Sequence, residues 1–266
     1  MPVKSFAITD VGLRRSHNED CYVANDELKI YLVADGMGGH VAGEVASHTA
    51  ARAIEDFVHR AENDHEMTWP FRPKDSLSPT ENALLSAIKL ANQMICRMAS
   101  EKPEMSGMGT TIAGVKIENG GASIFNVGDS RVYRVRKGEM AQLTTDHSWV
   151  NEQLQRQMIT EEEARTHRWK NVITRALGNK TTIEVDLQTT QLEDGDLLII
   201  CTDGLSGLVS DQVIFETLSA QQDNLEQAAH DLVAQANAAG GHDNITVVLV
   251  QYRAKPESPT DKDNAP

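Results

Sequence analysis

Short apolar runs rich in β-branched and aromatic residues recur near the start of the chain and predict three strands. They are SFAIT, CYVAN and KIYLVA. Apolar positions then recur at steps of three and four within residues 40–61 and again within residues 84–98, which predicts two amphipathic helices. The stretch 62–82 between them contains three prolines and little periodicity, so we expect a loop there.

The remaining pattern repeats this order of strands and then helices. The runs TTIAGVKI, GASIFNV, RVYRVRKGE and AQLTT, joined by turns at Asn119-Gly120-Gly121 and Lys137-Gly138, predict an antiparallel meander. A polar, helix-prone segment follows at 148–170, with Thr160 and Glu163 spaced as a capping box. Two strands (TIEVDLQ, DLLIICT), two helices (211–219, 225–239) and a last strand (ITVVLVQY) complete the pattern. Strands and helices in blocks favour antiparallel sheets covered by helix pairs.

Charge and composition exclude several classes of protein. The 266 residues include 25 Lys and Arg against 39 Asp and Glu, and a net charge of -14 would repel nucleic acids and anionic membranes. The apolar runs are far shorter than the ~20 residues that span a bilayer, and MPVKSFAITD lacks the apolar core of a secretory signal. Three cysteines without CxxC spacing indicate a reducing compartment. We expect a cytoplasmic protein that binds neither nucleic acid nor membranes.

Carboxylates stand at the ends of the predicted strands. In chain order they are Glu19, Asp20, Asp35, Asp129, Asp203 and Asp243. Carboxylates that converge cannot all remain ionised without cations, and hard divalent ions such as Mg²⁺ or Mn²⁺ prefer oxygen ligands. Each Asp-Gly or Asn-Glu-Asp sequence taken alone is more often an ordinary turn. Their joint occurrence favours a metal site over a series of turns, and the sequence contains no P-loop, HExxH or GxSxG motif.

The order of these motifs resembles a known enzyme family. The motifs are Gly12-x-x-Arg15-x-x-Asn18-Glu19-Asp20, Asp35-Gly36-Met37-Gly38-Gly39-His40, Gly109-Thr110-Thr111, Gly128-Asp129-Ser130-Arg131, Thr202-Asp203-Gly204 and Asp243-Asn244-Ile245-Thr246. The series resembles the metal-dependent serine/threonine protein phosphatases of type 2C, and the compact bacterial members most of all. The resemblance covers about residues 5–252.

The resemblance implies the architecture of the chain. An α+β fold is expected, a four-layer α-β-β-α sandwich with two central antiparallel sheets flanked by helix pairs. Residues 1–253 would form the catalytic domain, and the insert at about 148–170 would be a flap that influences substrate choice. The polar tail, residues 254–266, is expected to be disordered.

The resemblance also implies two or three bound Mn²⁺ or Mg²⁺ ions. The implied ligands of the first two ions are Glu19, Asp20, Asp35, Asp203, Asp243 and the carbonyl oxygen of Gly36. Asp35 would bridge these ions, whereas Glu19 and Asp20 would act largely through bound water. Asp129, together with Asp203, would bind a third and weaker ion.

Two further positions concern the phosphate group and its leaving group. Arg15 corresponds to the arginine that holds the phosphate, and its guanidinium can form paired hydrogen bonds with phosphate oxygens. Eukaryotic members of the family carry a histidine directly after Asp-Gly as the proposed general acid, but Met37 stands there in this chain. His40 is the nearby candidate for that role, although a single histidine in a loop is more often a capping or surface group. Metal-bound water is the alternative proton source.

The predicted activity is hydrolysis of phosphoserine and phosphothreonine in proteins by a metal-activated water molecule. The substrates would be proteins that a serine/threonine kinase has phosphorylated. The enzyme would be a monomer. A metal-dependent phosphodiesterase or small-molecule phosphatase could use the same carboxylates. A phosphoprotein-binding pseudophosphatase should lack metal ligands, whereas every core ligand position is filled here.

Overall fold

Eleven strands build two antiparallel sheets in the computed structural model, which describes residues 3–39, 41–64, 66–221 and 224–254. In chain order they are β1 (Val3–Asp10), β2 (Asp20–Asn25), β3 (Ile30–Met37), β4 (Gly109–Thr110), β5 (Ile112–Glu118), β6 (Gly121–Val127), β7 (Arg131–Arg136), β8 (Glu139–Gln142), β9 (Asp186–Gln191), β10 (Leu197–Cys201) and β11 (Ile245–Tyr252). The predicted disordered tail lies outside the described residues from position 255 onward.

The helices form in the two blocks that the apolar periodicity predicts. They are α1 (Val41–Asn63), α2 (Pro79–Glu101), α3 (Trp149–Gln155), α4 (Glu161–Thr166), α5 (Asp203–Ser206), α6 (Asp211–Ala220) and α7 (Leu225–Ala238), with a 3₁₀ turn at Pro103–Met105. Ser78 caps α2 in a capping box with Glu81, and the predicted box of Thr160 and Glu163 at α4 is confirmed. None of the described helices combines the length and apolar character that a membrane span requires.

The two sheets have different strand orders. The first sheet runs β1-β11-β10-β7-β8, and the second runs β2-β3-β5-β6-β9 with the short β4 paired to β3. In the first sheet, Val3 of β1 lies opposite Tyr252 of β11, and Asp10 lies opposite Ile245. The end of β1 and the start of β11 are therefore at the same end of the molecule.

Three apolar layers separate the elements and establish the four-layer sandwich. One layer packs α1 and α2 on the second sheet and includes Ile54 and Ile88. Another packs α6 and α7 on the first sheet and includes Leu232. The third joins the two sheets through residues such as Val33 and Val248. The predicted α-β-β-α architecture is confirmed.

The predicted four-stranded meander is wrong, because the chain changes sheets after its first hairpin. β5 and β6 pair in the second sheet, where β6 takes β9 as its other neighbour, while β7 and β8 pair in the first sheet. The crossing contains Gly128, whose φ of 119° lies in a region that favours glycine. Asp129, the next residue, is thereby placed between the two sheets.

The predicted helix-prone segment 148–170 contains two short helices, α3 and α4. Trp149 stacks on His167 with ring centroids 4.6 Å apart, and Trp169 meets Trp149 edge-on at 4.7 Å. At the base of the segment, the Trp149 amide donates to the Val172 carbonyl at 2.8 Å. The two ends of the segment are thus held together where it leaves the sandwich.

Candidate metal centre

Asp20 opens β2 and lies directly opposite Asp35 of β3. Directly opposed residues of antiparallel strands point to the same face of the sheet. The Asp20 carboxylate is buried, and its Oδ2 accepts hydrogen bonds from Thr202 Oγ1 at 2.9 Å and Thr246 Oγ1 at 2.6 Å. Because Thr246 belongs to β11 and Thr202 follows β10, Asp20 connects the two sheets.

Three further carboxylates come from the crossing and from the first sheet. Asp129 lies between β6 and β7, Asp203 opens α5 directly after the capping residue Thr202, and Asp243 shortly precedes β11. Among the described residues, Oδ1 of Asp129 and Oδ1 of Asp203 are buried and have no hydrogen-bond partner. A buried carboxylate oxygen without a protein partner indicates a site for an ion or water.

Burial and mutual repulsion change the acidity of these groups. Burial raises the pKa of Asp20 to about 7, although the two threonine hydroxyls lower it. Burial raises the pKa of Asp35 well above its usual range, and the charges of Asp20 and Asp203 add to this. Burial and the charge of Asp203 raise the pKa of Asp129 to about 8, and burial and Asp243 raise the pKa of Asp203. Without cations, this cluster must retain protons at neutral pH.

The donor set fits hard divalent cations. It consists of carboxylate oxygens, which Mg²⁺ and Mn²⁺ prefer, whereas zinc sites use mainly His and Cys. Within the described part of the chain, no three acidic, His or Cys side chains are arranged to hold an ion by themselves. Mg²⁺ usually completes its coordination with carbonyl oxygens and water.

Gly36 and Gly43 allow the backbone to approach Glu19 closely. A Cβ on Gly36 would overlap the carbonyl oxygens of Gly43 and Glu19, and a Cβ on Gly43 would overlap the Glu19 carboxylate. The Gly36 amide also donates to the Glu19 carbonyl at 3.2 Å. The start of α1, the end of β3 and Glu19 thus pack with no space for larger residues.

Asn244, the residue that follows Asp243, holds the loop before β2 against the start of β11. Its Oδ1 accepts from the Glu19 amide at 2.8 Å, and its Nδ2 donates to the carbonyls of Val11 and His17, each at 2.9 Å. Asn244 is buried, so these three bonds satisfy backbone groups that water does not reach. The loop that carries Arg15 is fixed in this way.

Arg15 lies at the exposed side of the centre. Its Nη2 donates to Asp243 Oδ2 at 2.7 Å, and 48% of its side chain is exposed. The arginine is also within electrostatic range of Glu19 and Asp35. A guanidinium in this position can exchange its carboxylate partner for an entering phosphate oxygen.

The structure brings all but one of the residues predicted from the sequence to one end of the two sheets. They are Arg15, Glu19, Asp20, Asp35, Gly36, Asp129, Asp203 and Asp243. His40 lies outside the described residues. Met37 is half-buried at the end of β3 and lies opposite Gly109 of β4.

Thr202, Thr246 and Asn244 have no role that could be predicted from the sequence, although all three belong to the motifs that contain the carboxylates. Each stands within three residues of a predicted metal ligand. Their contacts join residues about two hundred positions apart, from Thr202 and Thr246 to Asp20 and from Asn244 to Glu19. The only sequence signal was a short polar side chain beside an aspartate, which is typical of many turns.

Comparison with known families identifies this arrangement. The profile of the family described as Protein phosphatase 2C matches residues 14–246. The chain belongs to the protein phosphatase 2C family. The family predicted from the motifs is confirmed.

Curated relatives of this phosphatase cover nearly the whole chain. The serine/threonine phosphatase stp of Listeria innocua is 37% identical over 246 residues, which are 91% of this chain and 93% of the relative. The protein phosphatase PhpP of Streptococcus pneumoniae is 36% identical over 246 residues, 91% of this chain and 95% of the relative.

Solved phosphatases share the four-layer fold. The serine/threonine phosphatase PstP/Ppp of Mycobacterium tuberculosis superposes with a TM-score of 0.80 at 33% identity, covering 95% of this chain and 99% of that one. A structure of the PstP catalytic domain contains two manganese ions. A bacterial serine phosphatase superposes with a TM-score of 0.83 at 31% identity, covering 96% of this chain and 99% of that one.

Proposed function

We propose that this protein phosphatase hydrolyses phosphoserine and phosphothreonine in proteins at the carboxylate cluster between its two sheets. The observation that carries the proposal is the gathering, at one end of the sandwich, of four buried or half-buried aspartates whose pKa values are raised. Related enzymes named serine/threonine phosphatase, one of them with two manganese ions, support it. The protein is a metal-dependent phosphoprotein phosphatase, and the division of roles among its residues is our proposal.

The carboxylates and one carbonyl would hold the cations. When bound, the divalent cations supply a water-derived nucleophile at neutral pH and neutralise the phosphate dianion. The residues proposed to hold the first two ions are Glu19, Asp20, Asp35, Gly36, Asp203 and Asp243. Asp129 would hold a third ion with Asp203, and the unpartnered Oδ1 atoms of both residues support this pairing.

Arg15 would hold the phosphate of the substrate. Its half-exposed guanidinium lies at the edge of the cluster and already donates to Asp243. The fork of donors on arginine matches two phosphate oxygens and orients the phosphorus for attack from the side opposite the leaving serine or threonine oxygen. Binding of the substrate would thus replace the ion pair between Arg15 and Asp243 with an ion pair between Arg15 and the phosphate.

The leaving alkoxide requires a proton, and His40 is our candidate donor on sequence grounds alone. A serine or threonine alkoxide is a poor leaving group, whereas p-nitrophenolate leaves without protonation. His40→Ala should therefore slow a phosphothreonine peptide much more than p-nitrophenyl phosphate. Equal slowing of both substrates would remove His40 from the acid role.

We further propose that residues 1–253 form the catalytic domain and act as a monomer in the cytoplasm on proteins phosphorylated by a serine/threonine kinase. The segment 148–170 would serve as a flap that contributes to the choice of substrate. Its exposed apolar side chains, Met158 and Trp169, support a role in contacting other chains.

The decisive experiment compares substrates and metals with the purified protein. Turnover of a phosphothreonine peptide should require Mn²⁺ or Mg²⁺ and stop when EDTA removes them. A phosphodiester should be hydrolysed much more slowly under the same conditions. Preference for the diester would instead identify a phosphodiesterase, and full activity after complete chelation would exclude the proposed mechanism.

A further inference from the structure

His147 is a buried histidine that contacts the chain crossing beside Asp129. Only 5% of the residue is exposed. Its ring Nδ1 accepts a hydrogen bond from the Gly128 amide at 3.0 Å, while its own amide donates to the Gly128 carbonyl at 2.8 Å. Both polar groups of Gly128 are therefore bound by one residue.

The partners of the ring determine which nitrogen carries the hydrogen. The Gly128 amide can only donate, so Nδ1 must be the unprotonated nitrogen and Nε2 carries the hydrogen. Nε2 lies 3.1 Å from both Asp186 Oδ2 and Arg175 Nη1. Because a guanidinium can only donate, Nε2 donates its hydrogen to Asp186, and the other oxygen of Asp186 accepts from Arg175 Nη1 at 2.9 Å. Asp186 and Arg175 thus orient the ring so that Nδ1 faces Gly128.

Gly128 controls the direction in which Asp129 points. Its φ of 119° allows the turn between the sheets, and a Cβ there would overlap Thr111. The Asp129 carboxylate is buried, and its Oδ1 has no hydrogen-bond partner among the described residues. Because Oδ1 has no such contact to fix it, its position depends on the backbone at Gly128 and Asp129.

The backbone of His147 is fixed on its other side by the base of the segment 148–170. The Thr174 amide donates to the His147 carbonyl at 2.8 Å, and Ser148 and Ile173 form an isolated antiparallel bridge. His147 therefore lies between this base and the Gly128 crossing.

We propose that His147 is a positioning residue that holds the Gly128 peptide so that Asp129 can bind a cation, with Asp186 setting the orientation of its ring. The inference rests on the proposed function, because it takes Asp129 as a metal ligand. It assigns His147 an effect on cation binding at Asp129, and none on the tighter ions held by the other carboxylates.

Two substitutions at His147 separate its two hydrogen bonds. In His147→Asn, Oδ1 replaces Nδ1 at the same number of bonds from Cα and can still accept from Gly128. In His147→Gln, the amide nitrogen replaces Nε2 and can still donate to Asp186, but the acceptor for Gly128 is lost. Both variants remove the ring, and they differ in which of its two hydrogen bonds the new side chain can keep.

The measurement is calorimetric titration of the full chain with Mn²⁺. The titration of Asp129→Asn first identifies which of the bound Mn²⁺ ions depend on Asp129; these ions form the class to be compared. His147→Gln should weaken that class by about tenfold or more, equivalent to roughly 1.4 kcal/mol. His147→Asn should stay within about threefold of the parent, less than half of that free energy. The affinity for the more tightly bound Mn²⁺ ions should be the same in both variants.

A second pair avoids the buried position. The Asp186 side chain is 47% exposed, so Asp186→Ala should fold, and it should weaken the same class of ions because the ring loses its orienting acceptor. Glu184→Ala is the matched control, since Glu184 also contacts Arg175, at 3.4 Å, but makes no contact with His147. This pair decides the question if His147→Gln does not fold.

The positioning role would be overturned if His147→Asn and His147→Gln lost equal affinity for the Mn²⁺ ions that depend on Asp129. Identical titrations of Asp186→Ala and Glu184→Ala would also overturn it. If Asp129→Asn removes no class of bound Mn²⁺, the ligand role of Asp129 is wrong and the inference falls with it. The first two results contradict His147 alone, and the third contradicts the proposed site.

Discussion

Asp20 and Asp35 are direct partners across β2 and β3, so one buried and one half-buried carboxyl group occupy the same face of one sheet at the same level. Unpaired like charges in this arrangement repel each other strongly. The arrangement is stable only when protons or cations reduce the charge. The effects of pH and of metal on this protein should therefore be linked.

The stability of the metal-free protein should fall as the pH rises from about 5 to 8.5. The pKa of Asp20 is raised to about 7 and that of Asp129 to about 8, whereas an unfolded carboxyl titrates near 4. Between these values the folded state binds more protons than the unfolded state, so raising the pH favours unfolding. Thermal unfolding in EDTA, followed by circular dichroism, measures the trend.

Asp129→Asn isolates the contribution of one carboxyl group. An amide remains neutral at every pH, so this variant should be more stable than the parent in EDTA at pH 8.5 and nearly equal at pH 5. Asp56→Asn on the exposed face of α1 is the control and should follow the parent. An unchanged pH slope in Asp129→Asn would contradict the raised pKa.

Replacing either Asp203 or Asp243 by Asn should reduce kcat/KM for a phosphothreonine peptide by at least about a hundredfold, or roughly 2.7 kcal/mol. Each change removes one negative charge from the cluster that would hold the cations. Asp56→Asn again serves as the control, with kcat/KM within about twofold of the parent. Near-normal turnover of a variant would remove its aspartate from the site.

Arg15→Ala should raise KM for a phosphopeptide more than it lowers kcat, because a phosphate clamp acts in the ground state and in the transition state. The ion pair with Asp243 is half-exposed, so the free energy of unfolding should change by less than about 1 kcal/mol. Arg14→Ala, the exposed neighbour, should leave both kinetic constants unchanged. An unchanged KM together with reduced stability would assign Arg15 a purely structural role.

Thr246→Val should increase the Mn²⁺ concentration needed for half-maximal activity at pH 7. The Thr246 hydroxyl donates to Asp20 and lowers its pKa, so losing it makes Asp20 harder to deprotonate for metal binding. The difference from the parent should shrink at pH 8.5. Thr217→Val is the matched control, because the Thr217 hydroxyl is buried in contact with Gln235 on α7. If the Mn²⁺ concentration for half-maximal activity differed between Thr246→Val and the parent by the same factor at both pH values, this explanation would be contradicted.

The sequence predicted elements that depend on local pattern much better than it predicted their partners. The helices α1, α2, α6 and α7 follow apolar periodicity, which is read within one segment. Strand pairing depends on residues far apart, and β6 finds β9 about 65 positions later instead of the adjacent β7. β9 also starts later than predicted, because Ile183 and Val185 pack against the α1 and α2 side of the second sheet.

The same distinction applies to the candidate metal centre. The convergence of the carboxylates could be predicted because each stands at one end of a predicted strand in a recognisable motif. Thr246 and Asn244 could not, because their roles come from contacts with Asp20 and Glu19 that exist only after folding. His147, next to Asp146, could be suspected of supporting the site, but its contact with Gly128 is visible only in the folded chain.

The pairing of β1 with β11 has a consequence for engineering. Val3 and Tyr252 are neighbours at the end of the first sheet opposite to the carboxylates. The eight residues of β11 place Tyr252 about 24 Å from the start of that strand, at the usual rise of ~3.4 Å per residue. A reporter or tether fused before Val3 or after Tyr252 would thus be attached far from the carboxylate cluster. A short linker between these two positions should also permit circular permutation, with new termini in the exposed turn at Lys137-Gly138.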